Sequence, residues 1–129
     1  MTLEEVLNNS TYQVSKELYN VAKVNPHFQQ RDYFLMAHDE LETTIIYRQS
    51  VHPIGILEEK KNYVLIGINV AVPFYAPGFI ASISSAFGNQ GISVLVVSTY
   101  SRDYFLVSDK YADAVESVLD RLGIKRIAN

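Results

Sequence analysis

Asp103 is the one carboxylate beside a long uncharged stretch: from Asn62 to Ser101 there is no Asp, Glu, Lys, Arg or His. A lone acid in such a setting can hold an ammonium or a guanidinium group. It follows Ser98-Thr99-Tyr100-Ser101, which supply hydroxyls and one ring. Upstream, Ala76-Pro77-Gly78-Phe79 leads into a segment with helical patterning. The first N–H groups of a helix lack partners within it and carry the positive end of its dipole. Gly78 would let the backbone come close to a guest, and a carboxylate is the natural one. A carboxylate site and an ammonium site, with the Thr99 hydroxyl and the Tyr100 ring between them, would suit a zwitterionic amino acid. Plainer readings stand beside this one. Arg102-Asp103 can be an exposed hairpin pair, Pro77 a stiff helix entry, and Phe74, Tyr75 and Phe79 core or subunit contact.

Catalysis finds no comparable support. His27, His38 and His52 are far apart in polar segments. His38-Asp39-Glu40 are consecutive and would point in different directions, a poor metal set that reads as a solvated turn. Ser98, Thr99 and Ser101 have no histidine nearby, and "STYS" is no nucleophile elbow. "GNQG" (Gly88–Gly91) lacks a lysine and follows a helix, so it reads as a turn and not as a phosphate cradle. The expectation is a protein that is not an enzyme and has neither metal nor cofactor.

Composition narrows the class further. The chain has 129 residues, is 48% hydrophobic and 19% charged, and carries a formal charge of −3, so general affinity for nucleic acid is not expected. It has no cysteine, which excludes disulfides and thiolate chemistry. "MTLEEVLNN" has no apolar core of a signal peptide. Pro73, Pro77, Gly78, Gly88 and Gly91 break the uncharged stretch well short of the ~20 apolar residues a membrane span needs. A cytoplasmic protein that does not engage membranes is expected. The uncharged stretch implies burial on several sides, by a second subunit or by the N-terminal half.

These residues need elements to position them. Thr2 and Glu5 form a capping-box pattern over a short helix, Leu3 to Leu7. Tyr12–Leu18, Asp32–Ala37 and "TTIIYRQ" (Thr43–Gln49) read as strands. "EEKK" (Glu58–Lys61) reads as a solvated internal boundary, giving an N-terminal half, 1–61, and a C-terminal domain, 62–129. There, Tyr63–Val72 reads as a buried central strand. Gly78–Phe87 is a helix with Phe79, Ile80, Ile83 and Phe87 on one stripe, ended by Gly88 in the left-handed conformation. Strands follow at "ISVLVVS" (Ile92–Ser98) and "DYFLV" (Asp103–Val107). A helix then carries Ala112, Val115, Val118, Leu119 and Leu122, with Gly123 as its stop and "IKRIA" as a last edge strand. The order β-α-β-β-α-β predicts an α+β ferredoxin-like fold: a four-stranded antiparallel sheet with both helices on one face.

Over Tyr63–Gly123, and above all in "GFIASISSAFGNQGISVLVVSTYSRDYFLV", the chain resembles the ACT domain of small bacterial ACT proteins. "HDELETTII" (His38–Ile46) is similar to an element of the first half of those proteins. Ser101-Arg102, where the family often has Asp-Thr, and Phe74–Pro77 depart from the pattern. The resemblance implies two ACT-like halves and binding of a free amino acid where ACT units meet. The implied protein is regulatory and non-catalytic, with a homodimer or a regulated protein partner to receive the signal. Residues 76, 78, 79, 99, 100 and 103 (Ala76, Gly78, Phe79, Thr99, Tyr100 and Asp103) are the candidate ligand contacts. The alternative is an interaction or dimerisation module with no ligand. "RDYFLM" (Arg31–Met36) and "RDYFLV" (Arg102–Val107) either record a duplication or are two strands of similar composition.

Overall fold

The structure is a computed structural model that describes residues 1–72 and 76–128. The chain divides into two compact units. One comprises Met1–Ser15 with Val64–Asn129; the other is Lys16–Tyr63. The later boundary lies two residues from the 61/62 division drawn on the sequence. The first fifteen residues, however, belong to the unit that holds the C-terminal segment.

That larger unit begins with helix α1 (Leu3–Asn9). Thr2 closes the capping box in both directions: its N–H donates to Glu5 Oε1 at 2.9 Å, and its hydroxyl accepts from the Glu5 N–H at 3.1 Å. Strand β1 (Thr11–Val14) follows. After the smaller unit's strands β2 (Tyr19–Val24), β3 (Leu35–His38) and β4 (Thr43–Arg48) comes the long strand β5 (Ile56–Asn69). The first part of β5, through Tyr63, lies in the smaller unit and the rest in the larger. Helix α2 (Phe79–Gly88), strands β6 (Leu95–Ser98) and β7 (Asp103–Ser108), helix α3 (Ala112–Arg121) and the short strand β8 (Lys125–Arg126) complete the chain.

In the larger unit β5, α2, β6, β7, α3 and β8 supply the β-α-β-β-α-β order, and β7 lies between β5 and β6. The sheet differs from the expected four strands at one place. β1 sits antiparallel to β5, with Tyr12 opposite Ile68, and β8 pairs with β1 in parallel instead of with β5. The fold class is α+β and ferredoxin-like, with an N-terminal strand inserted. Helices α2 and α3 touch each other. They bury Phe79, Ile83 and Phe87 from α2 and Val115, Val118 and Leu119 from α3. Val64 to Ile68 are all buried, which agrees with a central strand. Ile80 leaves the expected stripe and is 40% exposed; Ala112 is exposed too. Gly88 is the last helical residue of α2, and the left-handed position falls at Gly91 (φ 74°). Gly123 (φ 88°) stops α3 as expected.

The smaller unit is a sheet in the order β3-β4-β2-β5, without a helix. Ala22, Val24, Ile45 and Tyr47 form its core, covered by Phe28, Tyr33, Met36, Val51 and Ile56. The strand expected over Tyr12–Leu18 is really the end of β1 and a bend before β2. "EEKK" is no linker: it is the exposed part of β5, whose burial begins at Val64. Charged side chains suit an edge strand, where they discourage unwanted pairing.

Candidate functional site

The sequence of α2 explains where its first turn opens. Gly78 is the N-cap residue at φ 85°, a left-handed conformation that favours glycine, and no side chain caps the helix. The Phe79 N–H donates to the Ala76 carbonyl at 3.1 Å and the Ser82 N–H to the Gly78 carbonyl at 2.9 Å. Between them, the N–H groups of Ile80 and Ala81 meet no backbone acceptor among the described residues. They are the free donors that a helix start leaves over.

The β6–β7 hairpin supplies the opposite wall. Ser98 and Asp103 are paired across the two strands, and the Thr99 N–H donates to the Arg102 carbonyl at 3.0 Å, closing a turn with Tyr100 and Ser101 at its tip. Ser98 Oγ donates to Asp103 Oδ1 at 2.7 Å, which aims the carboxylate along the face Ser98 occupies. Asp103 is half-buried, whereas Tyr100 is 85% exposed.

These two walls enclose a cavity of about 360 Å³. Of the six candidate residues, Ala76, Phe79, Thr99, Tyr100 and Asp103 line it together. Gly78 does not. Its role is the turn: a Cβ there would be strained at that φ and would meet Leu3 Cδ2 at 3.3 Å. Of the loop aromatics, Phe74 and Tyr75 lie outside the described residues. Other lining residues were absent from the sequence-based set, among them Val70, Val72, Ile80, Ser98 and Arg102. Val70 and Val72 follow the carboxyl end of a central strand, where open α/β sheets place their ligands, and that rule could have found them.

The histidine and carboxylate cluster resolves into a turn. Asp39 Oδ1 accepts the N–H groups of Leu41 and Glu42, each at 2.8 Å, and those bonds hold its carboxyl below the usual range. His38 Nδ1 lies 2.6 Å from Thr43 Oγ1. Among the described residues no three of His, Asp and Glu form a group that could hold a metal ion, and no helix is long and apolar enough to cross a membrane.

Residues 58–121 match the sequence profile of the ACT domain. No curated protein matches the chain. Among solved structures it is similar to an Agrobacterium tumefaciens protein (16% identity, 93% of each chain, TM-score 0.77). It is also similar to a Vibrio cholerae protein described as of unknown function and possibly in transport (18% identity, 94% of this chain and 95% of that one, TM-score 0.76). A third likeness is to the regulatory subunit of aspartate kinase from Thermus thermophilus (8% identity, 86% and 95%, TM-score 0.64). At these identities the likenesses speak for the fold alone, while the profile speaks for the family. With the β-α-β-β-α-β order of β5 to β8 and the profile over 58–121, the chain carries an ACT domain in its C-terminal half.

Proposed function

We propose that this ACT-domain protein is regulatory, non-catalytic and cytoplasmic, and that it binds a free amino acid in the cavity between the start of α2 and the β6–β7 hairpin. One observation carries the reading. Five of the six residues selected from the sequence converge on a single concave surface, with the start of α2 on one side and Asp103 on the other. Donors without partners and an acid suit the two ends of a zwitterion. The likeness to a regulatory subunit of aspartate kinase supports the regulatory half of the reading. Signal transmission requires that the ligand bind one arrangement of ACT units better than another, in a homodimer or with a regulated partner.

The test is a thermal shift assay with each of the twenty amino acids at millimolar concentration, on wild type and on Asp103→Asn. The expected result is stabilisation by a subset of ligands that disappears in the variant. A flat panel for the wild-type protein would refute ligand binding.

A second reading is favoured by a specific observation: the uncharged region leaves apolar side chains in the open, with Ile80 40% and Leu95 41% exposed. On that reading α2 and β6 form a dimerisation face. Ser85 is exposed on α2, and Ser85→Lys should convert a dimer to a monomer in size-exclusion chromatography. A dimer indifferent to that charge removes α2 from the interface.

A further inference from the structure

The geometry points to a neutral amino acid with an apolar side chain as the ligand, its carboxylate held by Arg102 and its ammonium group by Asp103; this rests on the amino-acid reading above. On the sequence Arg102 reads only as the exposed partner of Asp103, yet both residues line the cavity and they form no salt bridge with each other. The salt bridges among the described residues, Arg48–Asp32 and Lys61–Glu59, belong to the other unit. Ser98 Oγ already occupies Asp103 Oδ1, so the carboxylate is oriented by a hydroxyl and left without a cation. Adjacent residues of opposite charge that do not neutralise each other leave both charges available to a third group.

The balance of charge then selects the ligand. Arg102 and Asp103 are the cavity's only charged lining residues among those described, one of each sign. A ligand with one carboxylate and one ammonium group satisfies both. The planar guanidinium can take a carboxylate through two hydrogen bonds, and the Ile80 and Ala81 N–H groups lie on the same helix start as the cavity's Phe79. On the side of β5 and α2 the wall is apolar, with Val70, Val72, Phe79 and Ile80 as its larger side chains, while the hairpin adds the uncharged hydroxyl groups of Ser98, Thr99, Tyr100 and Ser101. A lysine, arginine, aspartate or glutamate ligand would bring a third charge with no partner against this wall, and an uncompensated charge is costly to remove from water. The volume, about 360 Å³, sits at the small end of ligand cavities.

Isothermal titration calorimetry on the full chain tests this. The probes are leucine, valine and phenylalanine against lysine, arginine, aspartate and glutamate, with 3-methylbutylamine as leucine without its carboxylate. Arg102→Gln is the variant; the side chain is exposed at a turn, so folding is not at stake. The expected result is binding of the apolar group at least about tenfold tighter than of any charged amino acid. Arg102→Gln should weaken leucine by about tenfold or more, as expected for losing a hydrogen-bonded charge, and leave the amine's binding unchanged. Tightest binding of a charged amino acid would overturn the ligand class while the amino-acid reading survives. Unchanged leucine affinity in Arg102→Gln would overturn the role of Arg102. Absence of binding by every amino acid would overturn this inference together with the reading it rests on.

Discussion

The same five residues, Arg-Asp-Tyr-Phe-Leu, occur at 31–35 and at 102–106, and they reach different ends. In the second copy Asp103 opens β7, a strand with neighbours on both sides, and Phe105 and Leu106 are fully buried. In the first, the strand β3 begins only at Leu35 and pairs with β4 alone. Phe34 is half-buried and meets Tyr19 edge-on at 6.0 Å. The acids differ as much. Asp32 pairs with Arg48 at 3.1 Å with both side chains well exposed, whereas Asp103 turns into a cavity. Identical local preference therefore yields an edge in one unit and a centre in the other, because the number of neighbouring strands is a tertiary property.

The largest test of this contrast is truncation of the two phenylalanines. Phe105→Ala should cost about 3–5 kcal/mol in urea denaturation, the range for a core ring. Phe34→Ala should cost only about 0.75–1.5 kcal/mol, half the transfer value of a buried ring. Equal costs would mean that the two copies share one environment.

The units can also be compared through a buried tyrosine in each. Tyr47 Oη donates to Glu59 Oε2 at 2.7 Å and accepts from Asn20 Nδ2 at 3.4 Å. Tyr12 is as deeply buried, but its hydroxyl has no partner among the described residues. Burial, reinforced by Asp120 and Glu116, pushes its pKa up. Tyr47→Phe should lower stability by about 1–2 kcal/mol, while Tyr12→Phe should be neutral or stabilising, since it deletes a desolvated group without breaking a bond. Matched losses from the two changes, again by urea denaturation, would point to a bond at Tyr12 that the geometry lacks.

Smaller effects are expected from the two acids. Asp32→Asn should change stability by about 0.5 kcal/mol or less, and less still in high salt, as for exposed pairs in general. Asp103→Asn should leave the urea midpoint nearly as it is and act on ligand binding instead. The smallest effect concerns pH. The Tyr47 hydroxyl, aided by Lys61, holds the Glu59 carboxyl below its ordinary value of about 4.5. A lowered folded value means the contribution is present above the unfolded pKa and is lost as pH falls below about 4.5 toward the folded pKa. Glu59→Gln should therefore flatten the stability profile in that acid window and leave it unchanged near neutrality.

How much of this was legible in the sequence depends on whether the signal was local. The Thr2–Glu5 capping box, the Gly123 stop and the buried positions Val115, Val118 and Leu119 follow from spacing within one element, and they appear where spacing put them. The pairing of β1 with β5 and β8 joins residues more than fifty apart, and no local preference encodes it. Asn62, at φ 70° inside β5, gave no warning either. Its conformation is held by side chains: Gln49 Nε2 donates to Asn62 Oδ1 at 2.5 Å, and Asn20 Oδ1 accepts the Asn62 N–H at 3.2 Å. At the candidate site, Asp103, Thr99 and Phe79 were legible because an acid and a helix start stand out from an uncharged background. Arg102 was hidden beside Asp103, since neighbours of opposite charge read as a pair until the geometry shows them apart.

The most direct measurement is a backbone amide chemical-shift titration of the full chain with leucine. The amides of Ile80, Ala81 and Thr99 to Asp103 should shift and saturate together, with those of Arg31 to Leu35 unmoved. Shifts confined to Lys16–Tyr63, or none at saturating leucine and at millimolar levels of the other amino acids, would contradict a dipolar ligand at the second Arg-Asp-Tyr-Phe-Leu.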